Sequence, residues 1–174
     1  AVADFYVRYP DEVYLAQVRQ LVDDAARGAA LATGTKVTIE PYGSMRDGIS
    51  VGALNEAAFA YLRKFGATRV MEAPQKPQGW EETGSVSRDI PGVGFSAYTS
   101  SGGFHTYEME TDALNEIGHS GFRLDAMGMS ALLHDFVTDA EFRARVKREF
   151  AATRALFGDY VEALGKAYPA PVVR

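Results

Sequence analysis

Cysteine is absent from the 174 residues. That excludes disulfides, thiolate zinc sites, cysteine nucleophiles and iron–sulfur clusters together. It is compatible with a cytoplasmic setting, which needs no cysteine, and cytoplasmic is the expected location. Excess positive charge is also missing: 18 Lys and Arg face 23 Asp and Glu, for a net charge of −5. With no basic block, no nucleic-acid partner is expected. No apolar run approaches the roughly 20 residues of a membrane span, so no membrane partner is expected either. Residues 1–10 carry Asp4 and Arg8 and no long apolar stretch, which predicts no signal peptide. What is present is ordinary for a globular chain, at 47 % hydrophobic and 24 % charged residues, enough to bury a core.

The first segment, 3–8, is rich in β-formers and reads as a strand. Asp11 is placed to cap a helix, with Glu12 in its first turn. Tyr14, Val18, Leu21, Val22, Ala25 and Ala29 then recur at helical spacing to about Ala32, and Gly34 closes the helix. Lys36 to Glu40 alternates polar and apolar, which predicts a half-buried strand. A β-α-β unit follows for 1–41. Pro41, Gly43 and Gly48 mark a connection. A second helix is predicted over 53–65, with Leu54, Ala58, Tyr61, Leu62 and Phe65 on one face and Gly66 at its end. Residues 73–83 read as an irregular loop, and 84–104 as strand and loop. A helix is predicted from Ile117 to Phe136, where Gly118, Gly121 and Gly128 serve close packing. Thr138 and Glu141 fit a capping box before a last helix striped by Phe142, Val146, Phe150, Phe157, Val161 and Leu164.

Candidate chemistry centres on three histidines. His105 follows Gly102-Gly103, outside any predicted helix. It is either an exposed loop residue or a metal ligand or general base presented by a pliable backbone. His119 opens a predicted helix and faces a site or plain solvent. His134 lies near a helix C-terminus, where the helix dipole favours its charged form. Glu81-Glu82 is an adjacent carboxylate pair in a Pro-rich loop and reads as solvated. Gly92-Val93-Gly94 lacks the third glycine of a dinucleotide loop. No G-x-S-x-G elbow and no H-x-x-x-H pair is present.

Four stretches carry a resemblance to a known family. They are Phe5-Tyr6-Val7-Arg8 with the helix behind it, Ala26-Arg27-Gly28-Ala29-Ala30-Leu31-Ala32-Thr33-Gly34-Thr35, and Ser87-Arg88-Asp89. The fourth is His105-Thr106-Tyr107-Glu108-Met109 followed by Gly118-His119-Ser120-Gly121-Phe122. In order and over nearly the whole chain, they resemble the C-terminal half of the metal-dependent amidohydrolases of the aminoacylase and carboxypeptidase family, the p-aminobenzoyl-glutamate hydrolase group above all. The resemblance implies an α/β fold. Residues 1–41 would be the second half of a β-α-β, ferredoxin-like lid domain. Residues 42–174 would be the C-terminal part of a zinc-peptidase-like α/β catalytic domain.

It also implies chemistry. Two divalent ions, zinc or manganese, activate a bridging water, and a Glu acts as general base on an amide carbonyl. His105 matches the last metal-binding His. Ser87, Asp89 and His119 fall where substrate-binding or supporting residues would lie. The family's H-x-D pair, its Glu-Glu and one further ligand all precede the lid, so no catalytic residue is expected in this chain. The implied partners are the N-terminal half of the enzyme or a complementary chain, and a second copy through the lid. The other reading is a non-catalytic interaction or dimerisation module derived from that family. Half a lid poses a physical problem in either case, because two strands leave unpaired edges and too little sheet to stand alone. The missing half comes from another chain, or the piece is remodelled.

Overall fold

The computed structural model describes residues 1–9, 11–46, 48–71 and 86–169. Among the described residues the long elements are helices: α1 (Glu12–Thr33), α2 (Gly52–Lys64), α3 (Tyr107–Asp112), α4 (Glu116–Thr138) and α5 (Ala140–Ala167). The expected α/β fold, with its ferredoxin-like half-lid, is therefore corrected to an all-helical one. Among the described residues the only β-type pairing is an isolated parallel bridge between Ser50 and Gly92. The β-forming run at 3–8 and the alternating run at 36–40 are present as unpaired chain, nearly all of it exposed. β-propensity records fit to a half-buried sheet surface. Without a neighbouring strand to supply ladder hydrogen bonds, the pattern has nothing to act on.

The chain divides into two compact units, one of residues 1–49, 74–90 and 152–174, the other of 50–73 and 91–151. In the first, α1 is built as its sequence suggests. Asp11 accepts a hydrogen bond from the Tyr14 amide at 2.8 Å, and Gly34 ends the helix at φ 65°, where its lack of a Cβ matters. Yet α1 buries none of its residues; Leu21 is 70 % and Leu31 85 % exposed. Among the described residues, its first turns are the part that is held. The Tyr14 and Tyr168 rings lie 4.7 Å apart, and Gln17 donates to the Pro169 carbonyl at 2.8 Å. Glu12 pairs with Arg46 at 3.5 Å and with Arg88 at 3.1 Å.

The second unit holds most of the buried core, from Val51, Ala53, Leu54, Ala58 and Leu62 to Leu132, Val146 and Phe150. Val51, at the start of α2, has no polar side chain to cap the helix. The Glu149 carboxylate of α5 does so instead, accepting from the Ala53 amide at 2.7 Å. Close approach along α4 is made by its glycines. A Cβ on Gly121 would stand 2.1 Å from the Tyr98 carbonyl oxygen, and one on Gly118 would stand 2.3 Å from that of Asp112. At Gly128 the neighbour is the Phe95 ring. The expected packing role of these glycines is what the geometry provides. The helix junction differs from the expected capping box. Asp139, not Thr138, receives the Glu141 and Phe142 amides, each at 2.9 Å. Thr138 completes α4 and donates to the His134 carbonyl at 2.8 Å.

These contacts set a sharp contrast between glycines. Gly121→Ala should destabilise the protein by about 1–3 kcal/mol, since backbone must move to admit the methyl. Gly158→Ala, with nothing within 4 Å, should stabilise α5 by up to about 1 kcal/mol. Urea unfolding of both variants checks the pair; equal shifts would contradict the packing described.

Candidate functional site

His105 sits in the second unit, at the end of a turn that leads into α3. Its backbone is left-handed at φ 62°, the one non-glycine residue with positive φ among those described. Such a conformation is unfavourable for a side chain bearing a Cβ and persists only where the surroundings impose it. The surroundings here are specific. The carboxylate of Asp112, which is buried, accepts from both the Ser101 amide at 2.6 Å and the Ser101 hydroxyl at 2.7 Å. Its other oxygen accepts from the Asn115 side-chain amide at 2.9 Å. The Ser100 hydroxyl oxygen, also buried, accepts from the Gly102 amide at 3.0 Å. On the far side, the Thr106 hydroxyl donates to the Gly103 carbonyl at 2.9 Å and accepts from the Met109 amide at 3.4 Å, which caps α3. Gly102 is required because a Cβ there would lie 2.7 Å from the Thr106 hydroxyl. The His105 residue itself is exposed.

His119 lies in the first turn of α4, exposed, its amide donating to the Asn115 carbonyl at 3.0 Å. Ser87 and Asp89 belong to the first unit. Ser87 is buried, and its hydroxyl oxygen accepts from the Ile49 amide at 3.2 Å. Asp89 is exposed and takes the Arg154 guanidinium at 3.1 Å. Between them Arg88 is buried, with its guanidinium 4.7 Å from the centre of the Phe157 ring. The Ser-Arg-Asp turn thus fastens its own unit through Ile49, Glu12, Phe157 and Arg154. His134 stands at the rim of an open groove of about 510 Å³ lined by Phe65, Ala126, Met127, Ser130 and Ala131. Glu81 and Glu82 lie outside the described residues.

Sequence reasoning missed α3 and, with it, Asp112. The available signals were Thr106 ahead of Glu108 and Glu110, acidic residues in a first turn, and Asn115 ahead of Glu116. Asn115 caps α4 by accepting from the Ile117 amide at 2.8 Å. Read together, they would have bracketed a short helix ending on an aspartate.

The donor set can be tested against a divalent metal. A catalytic zinc takes about three protein ligands and a water. No group of three or more His, Asp or Glu side chains able to hold an ion occurs among the described residues. No helix among the described residues is long and apolar enough to cross a membrane. Comparison with known proteins finds no match to the chain in a family model, a curated protein or a solved structure.

The hydrogen bonds from the Ser101 amide and hydroxyl and from Asn115 hold the Asp112 carboxyl down at about 2, against the opposing effect of burial. A carboxylate held below its unfolded value stabilises the fold above about pH 4, and that contribution is lost as pH falls towards 2. The wild-type chain should therefore lose stability more steeply than Asp112→Asn between pH 4 and pH 2. Parallel acid-unfolding curves for the two proteins would contradict this.

Proposed function

We propose that the chain is the C-terminal portion of a metal-dependent amidohydrolase or peptidase. Its substrate is the amide bond of an N-acyl amino acid, a dipeptide or an aminobenzoyl-glutamate-like compound. The observation that carries this reading is the backbone of His105. An exposed imidazole on a left-handed backbone, in a turn anchored at both ends by hydrogen bonds, is what a preorganised ligand requires. The same His105-Thr106-Tyr107-Glu108 stretch is among those that resemble the family. In this reading His105 is one ligand of a divalent centre, zinc or manganese, whose remaining ligands and general base come from outside these 174 residues. The metal supplies Lewis acidity and an activated water. This chain supplies the imidazole and the rigid turn that aims it. Ser87 and Asp89 support the first unit through their own bonds, and His119 is an exposed side chain one helix turn into α4. The setting proposed is cytoplasmic.

A second reading has its own support. α1 has an apolar stripe at helical spacing and buries none of its residues. Covering Leu21, which is 70 % exposed, would gain about 1.5–3 kcal/mol. A non-catalytic interaction module would use that face for association.

One experiment separates the two. The chain alone should hydrolyse none of these substrates and bind zinc weakly. Co-expression with a polypeptide carrying the family's upstream ligands and catalytic Glu should yield a hydrolytic complex. His105→Ala should then lower kcat/KM at least about 100-fold, the loss typical of a disrupted metal site, while leaving association intact. Association without hydrolysis, indifferent to His105→Ala, would favour the interaction module. Hydrolysis by the chain alone would overturn the proposal.

A further inference from the structure

Asp112 accepts three hydrogen bonds from Ser101 and Asn115, and it lies seven residues from His105 in sequence. Its two oxygens divide the work. Oδ2 gathers the Ser101 amide and hydroxyl, and Oδ1 takes the Asn115 side chain. Ser101 is thereby fixed to the end of α3, while Asn115 caps α4. The turn 101–106 must leave Ser101 and return as the Thr106 cap of α3. Both ends of that turn are anchored to the same six-residue helix, one at each terminus. A Cβ on Gly102 would lie 2.7 Å from the Thr106 hydroxyl and 2.7 Å from the Glu108 Cβ, so the turn is drawn in against the start of α3. Closing so short a span on fixed ends leaves few backbone solutions. The one adopted places the strain at His105, φ 62°.

We infer that Asp112 is a positioning residue for His105: by clamping Ser101 to the base of α3 it forces the left-handed turn that presents the imidazole. This rests on the reading of His105 as the functional imidazole only for its purpose, not for its geometry. The clamp itself has two separable parts. The amide bond from Ser101 is lost with Asp112 but survives in Ser101→Ala, whereas the hydroxyl bond is lost in both.

The test is NMR on the full chain, with amide and imidazole resonances of His105 assigned. A positive φ brings the His105 amide proton close to its own Hα and gives a strong intraresidue NOE. The wild type should show it. Asp112→Ala should lose it and broaden or average the 101–106 amides, while far-UV circular dichroism and the α2 and α4 resonances stay unchanged. Ser101→Ala should retain the NOE at reduced intensity, and Asp112→Asn, which keeps an acceptor for the Ser101 amide, should rescue most of it. Should Asp112→Ala fail to fold, Ser101→Gly, which keeps the amide bond, carries the expectation of Ser101→Ala, and Asn115→Ala, which leaves Asp112 Oδ1 without that donor, should likewise weaken the NOE. A His105 NOE that survives all the variants overturns the inference. Its failure is distinct from failure of the hydrolase reading. If His105→Ala leaves reconstituted hydrolysis intact while Asp112→Ala still releases the turn, the hydrolase reading falls and the clamp stands. If His105→Ala abolishes hydrolysis while Asp112→Ala leaves the His105 backbone unmoved, the reverse holds.

Discussion

Everything distinctive about the second unit depends on how closely backbone can approach α4. At Gly118 the neighbour is the end of α3, and at Gly121 it is the Tyr98 carbonyl, both within distances that a methyl group could not occupy. This approach lets segment 95–113 lie along the helix. It carries Asp112 into a buried position, where a carboxylate is stable only if its oxygens are satisfied. Ser101 and Asn115 satisfy them. The turn bearing His105 is then determined by two anchors on one short helix. Small residues on a helix, a buried acid and a strained histidine are successive consequences of one packing constraint.

The first unit is organised differently. Its α1 is locally well specified, with an aspartate cap and a glycine stop, and the tertiary contacts that hold it among the described residues are at its first turns. Glu12 holds Arg46 and Arg88, and the Tyr14 ring meets Tyr168. The raised Tyr14 hydroxyl, pushed up to about 12 chiefly by its hydrogen bond with Tyr168, reports that contact. Beyond Gln17 the helix relies on propensity and on pairs such as Arg27 with Asp24. Exposed pairs of this kind contribute little, and most helical stability in proteins comes from burial of a face.

The four longer helices were legible in the sequence because their signals are local. Asp11, Gly34 and Gly66 mark boundaries through backbone chemistry that needs no partner. The 3.6-residue spacing of Leu54, Ala58 and Leu62 names the face that α2 buries. The strands were misjudged for the same physical reason. The β-formers at 3–8 and 36–40 state what a neighbouring strand would find, and none lies beside them among the described residues. His105 could be singled out from its glycines. The reason for its orientation could not, because Asp112 becomes buried only through the packing of α4. Arg88 was equally hidden: nothing near it in sequence announces Glu12 or Phe157.

Order is concentrated where the glycine packing places it, around α2, α4 and the Asp112 clamp, while α1 buries none of its residues. Hydrogen exchange resolved by residue measures this directly. The account predicts slow exchange for the α2 and α4 interiors and for the Ser101 amide, with exchange from the middle of α1 onward far faster, as expected of a helix opening locally. Protection of α1 equal to that of α4, or a Ser101 amide that exchanges freely, would contradict it.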